Sequence, residues 1–384
     1  MNSKTIVILG AGIGGIVAAR RLRRLLGPAH RIVLVEREAR HLFQPSLLWL
    51  MIGQRTPAGI SRALSALARQ GIEVMQGEIE RIDPAQRSVQ VAGKSLTGDY
   101  LVIALGAELA PETIPGLAAT GHNFYTLAGA ESLRDARLAL TRGRVALLVS
   151  GIPFKCPAAP YEAAMLLEAD FRGRGLGAAV RFDIYTPEPG PMSTAGPEVS
   201  EQLRQMIEGR GIGYHTGHAI TRVHADGHRL EFANGTSAEY DLLAYVPPHR
   251  APTVVRAAGL CGESGWVPVD RATLETKFPG VYAIGDVTGI PLKIGKPLPK
   301  AGVFAHNGAE VVAHNIAAQI AGRGPARQFS GQGACFVEIG DGRAGFGSGD
   351  FFAEPAPQMH LRPPSRLRHF GKVVYEKYWL WHAF

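Results

Sequence analysis

One stretch constrains this chain more than any other. Ile6-Val7-Ile8-Leu9 runs straight into Gly10-Ala11-Gly12-Ile13-Gly14-Gly15, followed by a helical pattern with apolar Ile16, Ala19, Leu22 and Leu25. A β-branched strand, a glycine turn and an apolar helix face together open a dinucleotide-binding β-α-β unit. Gly10 permits the tight turn, Gly12 lets the backbone approach a pyrophosphate, and Gly15 lets the helix pack closely on the strand. The helix N-terminus then faces the phosphates. The next strand, 31–36, ends in Glu36, a carboxylate placed to accept hydrogen bonds from a ribose.

A second unit repeats this plan with a different turn. The strand 145–150 runs into Gly151-Ile152-Pro153-Phe154-Lys155-Cys156-Pro157, with a helix predicted over 161–171 and a strand over 180–185. The chain is therefore read as α/β, with two tandem Rossmann-like domains. Proline, phenylalanine and lysine in the second turn remove both the close backbone approach and the nest that a pyrophosphate needs. A pyridine nucleotide is not expected there. Cys156 precedes a predicted helix N-terminus and lies beside Lys155, two influences that lower a thiol pKa. A reactive thiolate is one reading of it, and a small buried apolar residue is the other.

Composition narrows the function classes. With 384 residues, 46% of them hydrophobic, the chain can build more than one core. The net charge of +8 is scattered, and no nucleic-acid-binding signature accompanies it. No apolar run approaches the ~20 residues that span a bilayer. The first strand begins within a few residues of Met1, so a cleavable signal peptide is not expected and the cytoplasm is the default compartment. The cysteines are Cys156, Cys261 and Cys335, none in a C-x-x-C pair, which excludes a zinc knuckle and an adjacent-thiol redox pair. No metal is expected.

Two further segments, Tyr100-Leu101-Val102-Ile103-Ala104-Leu105-Gly106-Ala107 and Gly280-Val281-Tyr282-Ala283-Ile284-Gly285-Asp286, are strands ending in glycine turns. With them the chain resembles the two-dinucleotide-fold flavoproteins of the disulfide oxidoreductase superfamily. The resemblance implies a split FAD domain, with Asp286 on the ribityl chain of FAD. It divides the chain into 1–107 (FAD domain, first part), 108–265 (second Rossmann-like domain), 266–330 (FAD domain, second part) and 331–384 (C-terminal region). No cysteine lies near 41–46, so the flavin is expected to be held non-covalently.

Within that superfamily, Cys156-Pro157-Ala158-Ala159-Pro160-Tyr161-Glu162 resembles a segment of the sulfide:quinone oxidoreductases and the flavocytochrome c sulfide dehydrogenases. Gly333-Ala334-Cys335-Phe336-Val337-Glu338 stands where those families carry a second redox cysteine. Phe43-Gln44-Pro45-Ser46-Leu47-Leu48-Trp49 and Pro299-Lys300-Ala301-Gly302-Val303-Phe304-Ala305-His306 are similar to their segments around the flavin. The resemblance implies catalytic roles for Cys156, Cys335, Glu162 and Lys300. It implies FAD contacts from Gly10, Gly12, Gly15, Glu36, Pro45, Ala104, Gly106, Gly285, Asp286 and Lys300. Sulfide would be oxidised to sulfur or polysulfide, with the electrons passed through FAD to a membrane quinone. The chain departs from many such enzymes in lacking a third redox cysteine before Cys156.

Other readings remain open from sequence. Lys300 could be an ordinary first-turn surface lysine, and His306 a relay for protons or a packing residue. Cys261 matches no redox position and is read as structural. Rival functions are the flavin subunit of a cytochrome c-linked sulfide dehydrogenase, a type II NADH:quinone dehydrogenase, and a flavin-binding protein without turnover. In the tail, Arg362, Arg366, Arg368 and Lys372 precede Tyr375, Tyr378, Trp379 and Trp381, while Phe370, Val374, Tyr378 and Trp381 recur at helical spacing. This fits a monotopic membrane-interface helix on the cytoplasmic face. It fits equally a helix docked on the protein's own core or on a partner copy in a homo-oligomer.

Overall fold

The computed structural model describes residues 3–384. Its first sheet is parallel, in the order Val281–Ala283, Tyr100–Ile103, Thr5–Leu9, Arg31–Glu36, Glu73–Gln76. Ile6, Val7, Ile8 and Leu9 are all fully buried, which is why the strand reads as a continuous apolar run. Val281–Ala283 arrives from far along the chain to complete this sheet, so the second half of the chain contributes to the first glycine loop's surroundings.

The second sheet repeats the plan: His122–Asn123, Leu242–Val246, Gly143–Val149, Val180–Tyr185, Gly213–His215, again all parallel. Each five-stranded sheet has a three-stranded antiparallel partner, 79–97 for the first and 220–239 for the second. Glu108–Leu109 and His249–Arg250 pair antiparallel where the chain passes between the two sheets. Arg250 and the Thr253 backbone N–H both bind the Glu108 carboxylate, fixing that crossing.

A third sheet, Gln332–Gly340, Arg343–Asp350 and Gln358–Ser365, is antiparallel and leads into the helix Arg366–His382. Ser365 caps that helix, its hydroxyl accepting from Arg368 N at 3.3 Å, a contact worth about 1 kcal/mol. Gly340, at φ 83°, brings this sheet onto the helix Ala159–Gly173: a Cβ there would lie 2.4 Å from that of Ala169. The sheet carrying Cys335 is thereby pressed against the helix that follows Cys156.

Candidate active site

A cleft of about 2030 Å³ runs from the first glycine loop to the third sheet and is lined by residues of those two sheets and by the turns that follow strands of the second. Gly10, Gly12, Glu36, Pro45, Ala104, Gly106, Cys156, Glu162, Gly285, Asp286, Lys300 and Cys335 all border it. The fold therefore gathers nearly every residue singled out from sequence around one space. Gly15 stands behind the loop instead: a Cβ there would lie 1.8 Å from Gly10 O, so this position needs glycine for packing. A Cβ on Gly10 (φ 95°) would lie 2.6 Å from Ala104 O, while one on Gly12 would meet nothing within 4 Å. Gly12 thus presents bare backbone to open space, and the helix Ile13–Leu26 starts directly behind it. That combination suits an anionic pyrophosphate.

Glu36 braces the loop. Its Oε2 accepts from Ala11 N at 2.8 Å and its Oε1 from Arg37 N at 2.8 Å. At the other end of the cleft's floor, burial raises the Asp286 carboxyl above its usual range, against the pull of Lys155 and Lys300. Lys300 is buried, not a surface lysine: its Nζ donates to Asp286 O at 2.7 Å and Thr288 O at 3.1 Å, and lies 3.3 Å from the Trp266 ring centre. Burial pushes its ammonium down to about 8. Those carbonyls hold the amine away from the free, helix-starting position that the sequence suggests.

Cys156 and Cys335 both line the cleft, close enough for Cys335 to act electrostatically on Cys156, and each is half-buried. Cys156 adopts a left-handed backbone, φ 54°, which costs a non-glycine residue about 1–2 kcal/mol. Two hydrogen bonds hold it there, from its own N–H to Lys300 O at 2.6 Å and from Ala159 N to its carbonyl at 2.9 Å. The turn therefore locks the thiol-bearing residue to the segment that carries Lys300.

The expected low thiol pKa is corrected by the structure. Burial first, then the negative influence of Cys335 and Glu162, push the Cys156 thiol well above its ordinary value, with Lys372 and the Ala159 backbone opposing. Burial and Glu162 likewise push Cys335 up to about 12. Lys155, which sequence placed as an activator, directs its Nζ to Gln44 Oε1 at 2.9 Å. Free thiols at this site are protonated near neutral pH, so neither stands as a thiolate nucleophile.

Glu162 is fixed between elements. Its Oε1 accepts from Lys372 Nζ at 2.7 Å and from Glu338 N at 2.8 Å. Lys372, counted from sequence among the exposed basic residues of the tail, is instead buried in this ion pair. The sequence carries no signal for Lys372 as a neighbour of the thiols, because its approach depends on the last helix folding back behind the third sheet. Glu188 was missed too. It lines the cleft, accepts from Tyr161 Oη and Thr186 Oγ1, and burial raises it to about 7.

The helix Arg366–His382 docks one face on the protein's own core and leaves the other exposed. Trp379, Leu380 and Glu376 are buried: Trp379 Nε1 donates to His41 Nε2 at 3.1 Å and Arg55 Nε donates to Glu376 at 2.8 Å. The opposite face leaves Leu367 and Trp381 each 78% exposed and Phe370 63% exposed, with Val374, Tyr375 and Tyr378 beside them. His306 packs 6.5 Å from the Trp379 ring, at the cleft wall. Cys261 is half-buried among the apolar residues behind the first sheet and does not border the cleft.

A protein-family model, "Pyridine nucleotide-disulphide oxidoreductase", matches residues 4–309. The chain belongs to this family. Among curated relatives it is 28% identical to a sulfide-quinone reductase of Aquifex aeolicus, covering 99% of this chain and 91% of that one. It is 26% identical to the mitochondrial sulfide:quinone oxidoreductase of Mus musculus, over 92% of this chain and 80% of that one. Among solved structures, the sulfide:quinone oxidoreductase of Aquifex aeolicus superposes with a TM-score of 0.89 at 25% identity, covering 99% of this chain and 91% of that one. That structure thus provides a counterpart for 99% of this chain, beyond the residues 4–309 that the family model matches.

Proposed function

We propose that this protein oxidises sulfide to chain sulfur on Cys156 and Cys335 and passes the electrons to a quinone. The observation that carries the reading is that both cysteines line the cleft of the first glycine loop, close enough for Cys335 to act electrostatically on Cys156, on a fold matched over 99% of its length by a sulfide:quinone oxidoreductase.

The cleft fits FAD. Gly10 and Gly12 with the start of the helix Ile13–Leu26 would hold its pyrophosphate, Glu36 its ribose, and Asp286 its ribityl chain, with Pro45, Ala104, Gly106, Gly285 and Lys300 along its length. When bound, FAD supplies a two-electron acceptor that quinone can reoxidise. The second glycine position cannot serve a nicotinamide cofactor in the same way. Phe154 is buried at that turn and Pro153 replaces a backbone donor.

The protein's own part in the chemistry is to set the thiols. A bridge between Cys156 and Cys335 would be opened by hydrosulfide: a new sulfur–sulfur bond forms at Cys156 while Cys335 leaves as thiolate. Lys372 is the cation that offsets part of the cost of that buried thiolate, and Glu162 keeps Lys372 in place. The left-handed turn at Cys156 holds its sulfur toward the cleft as the chain lengthens.

The bare face of the helix Arg366–His382 supports docking on a membrane surface, from which a lipid-soluble quinone would enter. No helix among the described residues is long and apolar enough to cross a membrane, so the contact would be monotopic, and we place it at the cytoplasmic face. The division at 1–107, 108–265, 266–330 and 331–384 is the domain plan we adopt. A homo-oligomer remains compatible with the same face.

The test is anaerobic addition of sulfide to the purified yellow protein, then of a soluble quinone. Flavin bleaching followed by quinone-driven recovery, lost in Cys156→Ser and in Cys335→Ser, is expected. Reduction by NADH without reduction by sulfide would overturn the reading.

A further inference from the structure

The thiol end of the cleft holds more charge than two cysteines require. Glu162 from the helix Ala159–Gly173 and Lys372 from the helix Arg366–His382 border the cleft and act on Cys335, and Glu338 from the strand Gln332–Gly340 is buried behind them, its backbone N–H donating to Glu162. Two carboxylates against one ammonium leave the group one positive charge short, and buried charges are stable only when balanced. Arg55 does not make up the difference, because its guanidinium is committed to Glu376 at 2.8 Å. Glu338 has one further polar partner. His369 Nδ1 lies 3.1 Å from Glu338 Oε1 and 3.0 Å from Oε2.

This pair reaches from the interior to the surface. The Glu338 side chain is 1% exposed and that of His369 is 25% exposed. The imidazole stands edge-on to Trp49 at 5.9 Å, and Lys372 lies over the same indole at 5.1 Å. On the inner side, the charges of Glu162 and Lys372 act on both Cys335 and Glu338. Burial lifts the Glu338 carboxyl above its usual range, with Lys372 and His369 opposing, so a proton on this residue is less costly than on an ordinary glutamate.

Sulfide oxidation produces a proton at this end of the cleft. Each hydrosulfide that becomes a chain sulfur breaks its S–H bond, giving up one proton and, to the quinone of the proposed reaction, two electrons. We propose that the Glu338–His369 pair receives that proton from the thiol cavity and releases it to solvent through His369. This rests on the sulfide reading above. His369 acts through Glu338 and is a positioning residue for the proton.

The test follows flavin bleaching by sulfide in stopped flow between pH 6 and 9, with and without added imidazole, in wild type, His369→Ala and Glu338→Gln. His369→Ala is expected to bleach roughly 10- to 100-fold more slowly at neutral pH, the low end of what a placed acid–base group contributes. Imidazole in the buffer should restore it in proportion to concentration. Glu338→Gln should be comparably slow and gain nothing from imidazole, since its amide cannot hold the proton. The final extent of bleaching should match wild type in both, because a proton route alters the rate and not the end point. Wild-type rates in either variant, or slow bleaching of His369→Ala that imidazole leaves unchanged, would overturn the relay. A wild-type protein that sulfide does not bleach would instead overturn the sulfide reading, and the relay with it.

Discussion

His41 shows how tightly single residues are bound to the fold's chemistry. It is 4% exposed, its Nδ1 donates to Ala11 O at 2.9 Å, and its Nε2 accepts from Trp379 Nε1. Burial pushes its imidazole down to about 4, so the folded protein refuses a proton that the unfolded chain binds below about pH 6.5. Stability from this residue is complete above pH 6.5 and is lost as the pH falls toward 4, by about 3 kcal/mol. His249, pushed down to about 3 by burial and then by Lys155, adds to the same loss. Glu188, raised to about 7 by burial, works in the opposite sense, gaining stability as the pH falls from 7 to its unfolded value. Asp286 and Glu338, also raised by burial, act with Glu188, but the two histidines together with the lowered carboxyls of Asp99, Glu108 and Glu376 outweigh them and predict net acid lability. Urea midpoints measured from pH 7 to 4 should fall, and His41→Gln should flatten that fall by about 3 kcal/mol; an unchanged slope would contradict this account of His41. Lys372→Met is the second residue-scale test. Leaving Glu162 and Glu338 buried without their cation should cost about 3–5 kcal/mol, read as a lowered unfolding midpoint.

At the scale of elements, the last helix divides its residues between two duties. Its inner face is tied down by Trp379 and Glu376, while Leu367, Phe370 and Trp381 face outward with no cover from the described residues. Covering each of those side chains is worth about 1.5–3 kcal/mol, enough for a surface contact when three act together. Wild-type protein should therefore sediment with anionic vesicles, and Leu367→Ser, Phe370→Ser and Trp381→Ser combined should not, with flavin reduction by sulfide retained. Binding by the triple variant equal to wild type would contradict this role. The helical spacing of Phe370, Val374, Tyr378 and Trp381 made the apolar stripe legible from sequence. The inner face was not legible, because Lys372 and Glu376 read as ordinary solvated charges until Glu162, and Ser46 with Arg55, are brought against them from distant segments.

For the whole molecule, strand periodicity and glycine placement carried most of the fold. The strands 31–36 and 180–185 and the loop at Gly10 to Gly15 follow from local pattern alone, since a buried parallel strand is written in consecutive residues. The reactivity of Cys156 did not follow. Local neighbours suggested a lowered thiol pKa, whereas burial and the approach of Cys335 and Glu162 from other elements decide it in the opposite direction. Long-range electrostatics of this kind depends on topology, and topology joined residues 162, 335, 338 and 372 without any sequence motif spanning them. The altered second turn has a consequence at this scale as well: NADH and NADPH should leave the flavin oxidised under conditions where sulfide bleaches it, measured at equal concentrations in an anaerobic cuvette.

The central claim is that Cys156 and Cys335 meet across the cleft and carry the sulfur. The most direct test is mass spectrometry of the protein digested without reductant, before and after one anaerobic addition of sulfide followed by quinone. The account predicts a cross-linked pair of peptides containing Cys156 and Cys335, heavier by whole sulfur atoms after sulfide. Recovery of both cysteines as separately alkylated thiols, with no sulfur added to either, would contradict it.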